Sequence, residues 1–257
     1  MKLNDILKIP RLRMFAGPNG SGKSTIKIFV GNVINEKLFG HYINPDEFEK
    51  SIKESGFLDF NRFNLTIDES EILSFFQKSE WLKNEGLATE AAKLGFSGNR
   101  LDFTGVTVNS YLASVASDFT RRKLLASKQN FTFETVMSAS DKVDFLAEAQ
   151  TVGYRTYLYY VATEDPEINV SRVKIRVGEG GHNVPPDKIE PRYYRSLEFL
   201  WEAIKHCNRA YIFDNSGDEA EWVAQITESK KIEIKTDTAP AWFVKYVLDK
   251  IIVNDEL

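Results

Sequence analysis

The stretch GPNGSGKST, from Gly17 to Thr25, has the residue types and spacing to hold a polyphosphate. It fits G-x-x-x-x-G-K-[ST], with Gly17, Gly22, Lys23 and Ser24 at the fixed positions. Glycines let the backbone curl, so that N–H groups along Asn19, Gly20, Ser21, Gly22 and onward to Thr25 can converge on phosphate oxygens. The start of a following helix adds partial positive charge. In this reading Lys23 reaches the β- and γ-phosphates of ATP, and the Ser24 hydroxyl takes a place on Mg²⁺. The alternative is a glycine turn capping a helix, which requires neither the lysine nor the apolar run RLRMFA just before the loop.

Phosphoryl transfer also needs charge neutralisation and a group that orients the nucleophile. HYINPDEF reads as a strand that runs out at the turn signal Asn44-Pro45, which puts Asp46 past its carboxyl end, where open α/β sheets bind ligands. Asp46 could accept a proton from a substrate hydroxyl, help hold the metal, or simply form a turn. Glu134 and Thr135 end the strand in FTFETVM, and Glu134 could serve water, metal or substrate, or merely satisfy a helix N-terminus. Arg172 and Arg176 share one helix face. Arg192 and Arg195 are expected together in the first turn of a helix opened by Pro191, across the loop GEGGHNVPPD. Guanidinium groups bind phosphate oxygens in pairs and stay charged, so these arginines could close over a phosphate as a lid; the alternative is surface ion pairs with Glu167, Glu179, Glu190 and Glu198. His182 reads as a loop hydrogen-bonder, and Asp214, Asn215 and Ser216 as an Asx turn with base contact open.

The elements that would position these residues alternate. Strands are expected in RLRMFA, HYI, FTFETVM, RTYLYYVA and AYIFD, separated by helices from about Lys23 to Leu38, in YLASVASDFTRRKLLASK, in DKVDFLAEAQTV after Ser140, and in EINVSRVKIRV after Asp165-Pro166. Such alternation argues for a parallel sheet with helical crossovers. Residues 51–108 read as a helical insertion, with a Thr66–Glu69 capping box and hairpin signals in GFSGNRLDFTGVTVN. Residues 166–206 form the lid region, and 219–257 a hairpin near Lys230-Lys231 followed by a helix opened by Pro240, all within a single domain of 257 residues. The net charge of −4, with 27% charged residues and no sustained basic stripe, argues against a nucleic-acid partner. A lone cysteine, Cys207, rules out an internal disulfide and reads as a packed thiol in a helix. MKLNDILKIPRLR lacks a signal-peptide core and no apolar run reaches transmembrane length, so a soluble cytoplasmic protein without membrane contact is expected.

With these residues in view, the chain resembles the zeta-toxin family of P-loop kinases. The likeness rests on GPNGSGKST, INPDEF, FTFETVMSA, GYRTYLYYV, RVKIRVGEGGHNVPPDKIEPRYYRSLEFL and FDNS, and covers about residues 11–50 and 109–217. It implies an α/β P-loop kinase fold with a mostly parallel five-stranded sheet, and a kinase that uses ATP and Mg²⁺ on a hydroxyl of UDP-N-acetylglucosamine or a related sugar nucleotide. By the same resemblance Lys23 serves the ATP phosphates, Ser24 the metal, Asp46 the catalytic base and Glu134 the substrate side. Arg176 and Arg192 correspond to the lid arginines, with Arg172 and Arg195 as neighbours, and an antitoxin protein is the implied partner. Pro191 departs from the family pattern and is expected to delay the lid helix.

The leading expectation is thus a small-molecule kinase. A nucleoside or nucleotide kinase, and a non-catalytic nucleotide-gated module that binds a protein, are the alternatives from other classes.

Overall fold

The computed structural model describes residues 9–181 and 184–251, so the readings of His182 and of the extreme N-terminal stretch lie outside the described residues. In chain order the elements are β1 (Arg11–Ala16), α1 (Lys23–Ile34), β2 (His41–Ile43), α2 (Pro45–Ser55), β3 (Phe57–Asp59), α3 (Glu69–Gln77), α4 (Glu80–Asn84), α5 (Ala88–Ala92), β4 (Gly95–Ser97) and β5 (Arg100–Asp102). They continue with α6 (Ser110–Ala126), β6 (Phe131–Thr135), α7 (Asp141–Thr151), β7 (Arg155–Ala162), α8 (Pro166–Gly178), α9 (Pro186–Glu198), α10 (Leu200–Lys205), β8 (Arg209–Asp214), β9 (Glu221–Thr227), β10 (Lys231–Ile234) and α11 (Ala241–Phe243). Two compact units result, one made of residues up to Gly40 and from Thr132 onward, the other of His41–Phe131.

In the first unit the strands run in the order β10-β9-β8-β7-β1-β6. β1 pairs with β7 and β7 with β8 in parallel; β9–β10 are antiparallel, as the expected hairpin requires, and β8–β9 are antiparallel as well, which was not expected. The central strands are near-continuous apolar runs because both faces are covered. On one face α1 lays Ile26 and Val30 against Phe15, Tyr159, Val161 and Phe213. There Phe15 stacks on Tyr159 and Tyr159 on Tyr211, with ring centroids 4.6 and 5.0 Å apart. α1 is shorter than expected: Asn35 at φ 69° breaks it, and one turn of 3₁₀ helix (Glu36–Phe39) then leads to Gly40. Ser140 precedes α7 without a side-chain cap, and Cys207 lies beyond the end of α10, buried, its thiol donating to the Ala203 carbonyl at 3.0 Å.

Pro191 corrects the expectation of a late helix. α9 opens at Pro186 after Pro185, and Pro191 lies inside it. Proline at the first helical position is pre-set for a helix. Pro191 forfeits a hydrogen bond to the carbonyl of Asp187, a residue exposed to water that can replace it. Burial of Ile189 against Val173 and Val184 then holds the turn in place. Arg192 and Arg195 therefore stand in the middle of α9, not in its first turn.

The second unit is not wholly helical. β3, β5 and β4 form a small antiparallel sheet, of which β4–β5 was expected and β3 was not. Asp68 rather than Thr66 caps α3, accepting from Glu71 N–H at 2.9 Å. Asn44 caps α2 with Pro45 at its first position, so the Asn44-Pro45 signal marks a helix start rather than a free turn. Asn109 caps α6, its side chain accepting from the Tyr111 and Leu112 N–H groups.

Candidate active site

The glycine loop leaves β1 at Ala16 and enters α1 at Lys23, so the expected strand, loop and helix are present around it. Gly22, at φ 93°, forms the N-cap of α1, and no acidic residue occupies the first turn to compete with an anion for the helix dipole. The Lys23 ammonium is folded over the loop and donates to the carbonyls of Gly17 and Pro18, each at 2.9 Å. Ser24 Oγ donates to Glu134 Oε2 at 3.2 Å, across 110 residues of sequence. Glu134 sits at the end of β6 and is only 7% exposed, so its carboxylate is held facing the loop.

This geometry fits the two groups that the loop implies. Ser21 is fully buried, and its hydroxyl has no hydrogen-bond partner in the protein. Lys23 and the N-terminus of α1 supply positive charge for a triphosphate. Ser24 and Glu134 pair a hydroxyl with a carboxylate, the oxygen donors that Mg²⁺ takes in combination with substrate phosphates. Among the described residues no three His, Cys, Asp or Glu side chains cluster as a metal cage.

The Asx turn after β8 is present: the Ser216 N–H donates to Asp214 Oδ1 at 2.8 Å, and Trp242 Nε1 donates to Asp214 Oδ2 at 2.6 Å. Asn215, read only as part of that turn, also donates from Nδ2 to the Ser21 carbonyl at 2.8 Å. Arg172 donates to the carbonyls of Asn215 and Gly217 at 2.5 and 3.1 Å, which ties this guanidinium to the turn. Arg176 is half-buried beside Gly181, whose N–H donates to the Arg176 carbonyl at 2.9 Å. Arg192 is half-buried and Arg195 exposed on α9. Thr135 Oγ1 accepts from the Met137 N–H at 3.0 Å and so shapes the turn after β6. Asp46 belongs to the second unit, exposed in the first turn of α2, with its N–H bound to Asn44 Oδ1 at 2.9 Å. A separate cavity of about 350 Å³ is lined by Glu164, Asp165, Glu167 and Glu190, a sign of charge that repels a triphosphate.

The family model for zeta toxin matches residues 107–223, which include β6, α8, α9 and β8; the glycine loop precedes the matched segment. An uncharacterized protein of Haemophilus influenzae is 32% identical over 63 residues, 24% of this chain and 45% of that relative. A solved structure of AvrRxo1-ORF1:AvrRxo1-ORF2 with sulphate ions is similar at a TM-score of 0.56 and 16% identity, over 91% of this chain and 65% of the other. The AvrRxo1-ORF1:-ORF2 structure with ATP gives 0.55 and 16%, over 88% and 61%. The chain thus spans about half the length of the curated relative and less than two thirds of these solved chains. At 16% identity the structural likeness speaks for the fold alone. No helix among the described residues is long and apolar enough to cross a membrane. Over residues 107–223 the chain is thus similar to the zeta-toxin family model, and its fold is similar to that of AvrRxo1-ORF1.

Proposed function

We propose that this protein is an ATP-dependent kinase that transfers a γ-phosphoryl group to a hydroxyl of a small molecule, with UDP-N-acetylglucosamine or a related sugar nucleotide as the candidate acceptor. The observation that carries the reading is the Ser24–Glu134 contact at 3.2 Å, next in sequence to Lys23, which supports a metal-binding pair at the end of a phosphate loop. When bound, ATP supplies the phosphoryl group and Mg²⁺ draws charge from its oxygens. Lys23 and the loop amides hold the phosphates, and Ser24 with Glu134 holds the metal. In this reading Glu134 serves the metal, whereas the family resemblance implies the substrate side. Asp46, assigned by resemblance, takes the proton of the acceptor hydroxyl. Arg176 and Arg192 neutralise charge on the phosphoryl oxygens, while Arg195 and Thr135 orient the acceptor. Arg172 acts from behind the site through its carbonyl partners. A cytoplasmic protein regulated by an antitoxin is the corresponding biological setting; AvrRxo1-ORF1, the structural neighbour, was solved with AvrRxo1-ORF2.

The test combines a substrate panel with two variants. Wild type with ATP, Mg²⁺ and UDP-N-acetylglucosamine should yield ADP and a sugar nucleotide heavier by one phosphoryl group. Asp46→Ala should abolish turnover and keep ATP affinity, whereas Lys23→Ala should lose affinity. Turnover of nucleosides alone would move the acceptor class, unchanged turnover in Asp46→Ala would remove Asp46 as the base, and no turnover with any acceptor despite ATP binding would remove the kinase assignment.

A further inference from the structure

The glycine loop can grip phosphate only if its N–H groups point inward, and two asparagines outside the loop control that direction. Asn169, in α8, is fully buried. Its Nδ2 donates to the Asn19 carbonyl at 2.6 Å, and its Oδ1 accepts from the Thr163 hydroxyl. Asn215 Nδ2 holds the Ser21 carbonyl at 2.8 Å. In a trans peptide the C=O of one residue and the N–H of the next point in opposite directions. Holding the Asn19 carbonyl against α8 therefore turns the Gly20 N–H away from α8. In the same way, holding the Ser21 carbonyl against Asn215 turns the Gly22 N–H away from the turn after β8. The intervening N–H, that of Ser21, is engaged within the loop on the Pro18 carbonyl at 3.3 Å.

The packing brings the loop close against α8. Gly20 has φ 77°, and a Cβ added to it would lie 2.6 Å from the Asn169 carbonyl oxygen, so loop and helix are in main-chain contact. Asparagine is a poor choice for a helix interior on propensity, and a buried amide is costly unless it is bonded. Here both ends of the Asn169 amide have partners, and the Asn19 carbonyl, which can only accept, fixes which end faces the loop. Arg172, three residues further along α8, secures the second asparagine by gripping its carbonyl at 2.5 Å.

We infer that Asn169 and Asn215 are positioning residues that aim the Gly20 and Gly22 N–H groups at the bound polyphosphate. The inference rests on the phosphate-loop reading of Gly17–Thr25 and adds two residues that never touch the ligand. Neither is predicted by the loop motif.

Calorimetric titration with ATP and with inorganic tripolyphosphate, which has no base or sugar, tests it on the full chain. Asn169→Asp keeps the side-chain size but turns a donor into an acceptor facing the Asn19 carbonyl; Asn215→Asp does the same at Ser21. Each should weaken both ligands by the same factor, about tenfold or more, as expected for loss of one well-aimed hydrogen bond to a charged group. The melting temperature without ligand should stay closer to wild type for Asn215→Asp, since Asn215 is half-buried and Asn169 fully buried. If Asn169→Asp does not fold, Asn215→Asp decides. Unchanged affinity for tripolyphosphate in a folded variant overturns the positioning role. Failure of the wild type to bind either ligand overturns the phosphate-loop reading beneath it, so the two failures are distinguishable.

Discussion

Replacing Gly17 by alanine tests whether β1 and β7 hold the glycine loop rigidly at its root. A Cβ at Gly17 would lie 2.0 Å from the Val161 carbonyl oxygen and 3.0 Å from its carbon, with the backbone at φ 142°. The wall it meets is main chain: Val161 is fully buried in β7, where it is in register with Phe213 of β8. Relief to an ordinary contact requires the strands to part by more than an ångström, which breaks ladder bonds on one side or the other. The backbone strain costs about 1–2 kcal/mol, and overpacking a site that cannot relax adds about 1–3 kcal/mol. Together these destabilise by about 2–5 kcal/mol, a large share of the 5–15 kcal/mol typical of a folded domain. For a chain of this size that lowers the melting temperature by roughly 5–15 °C. Gly153→Ala supplies the comparison, since Gly153 has φ 86° but nothing within 4 Å of an added Cβ. It carries the strain without the clash and should fall by only a few degrees. Thermal melts followed by circular dichroism compare the two. Equal, small shifts for both would refute the rigid-root argument.

Two further outcomes follow from titrating groups. Burial opposes the charge on Asp118, but Arg121 and Arg122, at 2.8 and 3.0 Å, outweigh it and hold the carboxyl below its ordinary value. A carboxylate whose folded pKa is depressed adds stability that is present above about pH 4, the unfolded value, and is lost as pH falls through the folded one. Asp118→Asn should therefore melt below wild type at pH 7, with the gap closing below about pH 4; a gap that stays constant with pH would refute the ion-pair contribution. Burial pushes the Cys207 thiol well above the usual thiol range, so it should resist a disulfide exchange reagent at pH 8 until the protein is denatured. Rapid labelling of native protein would contradict the packing of Cys207.

Much of the first unit was legible because its signals are local and repeated. RLRMFA and RTYLYYVA are long apolar strands, the loop motif is fixed in spacing, and Asp165-Pro166 announces α8. The second unit resisted because β3, β4 and β5 have three residues each, too few to display a period. Pro191 misled for a different reason: tertiary burial of Ile189 outweighs a proline penalty that local rules count in full. In the site, Lys23 and Ser24 were readable from motif, and Glu134 from its place at a strand end. Asn169 was not, although one signal existed: it stands four residues before Val173, on the buried face of α8, where an amide has no reason to be unless something bonds it. What the amide reaches is set by the return of the chain 150 residues later, which no local pattern records.

The bond from Trp242 to Asp214 has a consequence for synthesis. The glycine loop is made well before the turn that holds the Ser21 carbonyl, which follows β8 and is secured by a tryptophan 28 residues beyond Asp214. Trp242, with Phe243 and Val247, is buried, so this late segment belongs to the interior rather than to an appendage. During translation the phosphate loop can form its strand and helix early, but its second brace is not latched until residue 242 has left the ribosome. A nascent chain halted before that point should retain the loop sequence and lack the brace on its Ser21 carbonyl.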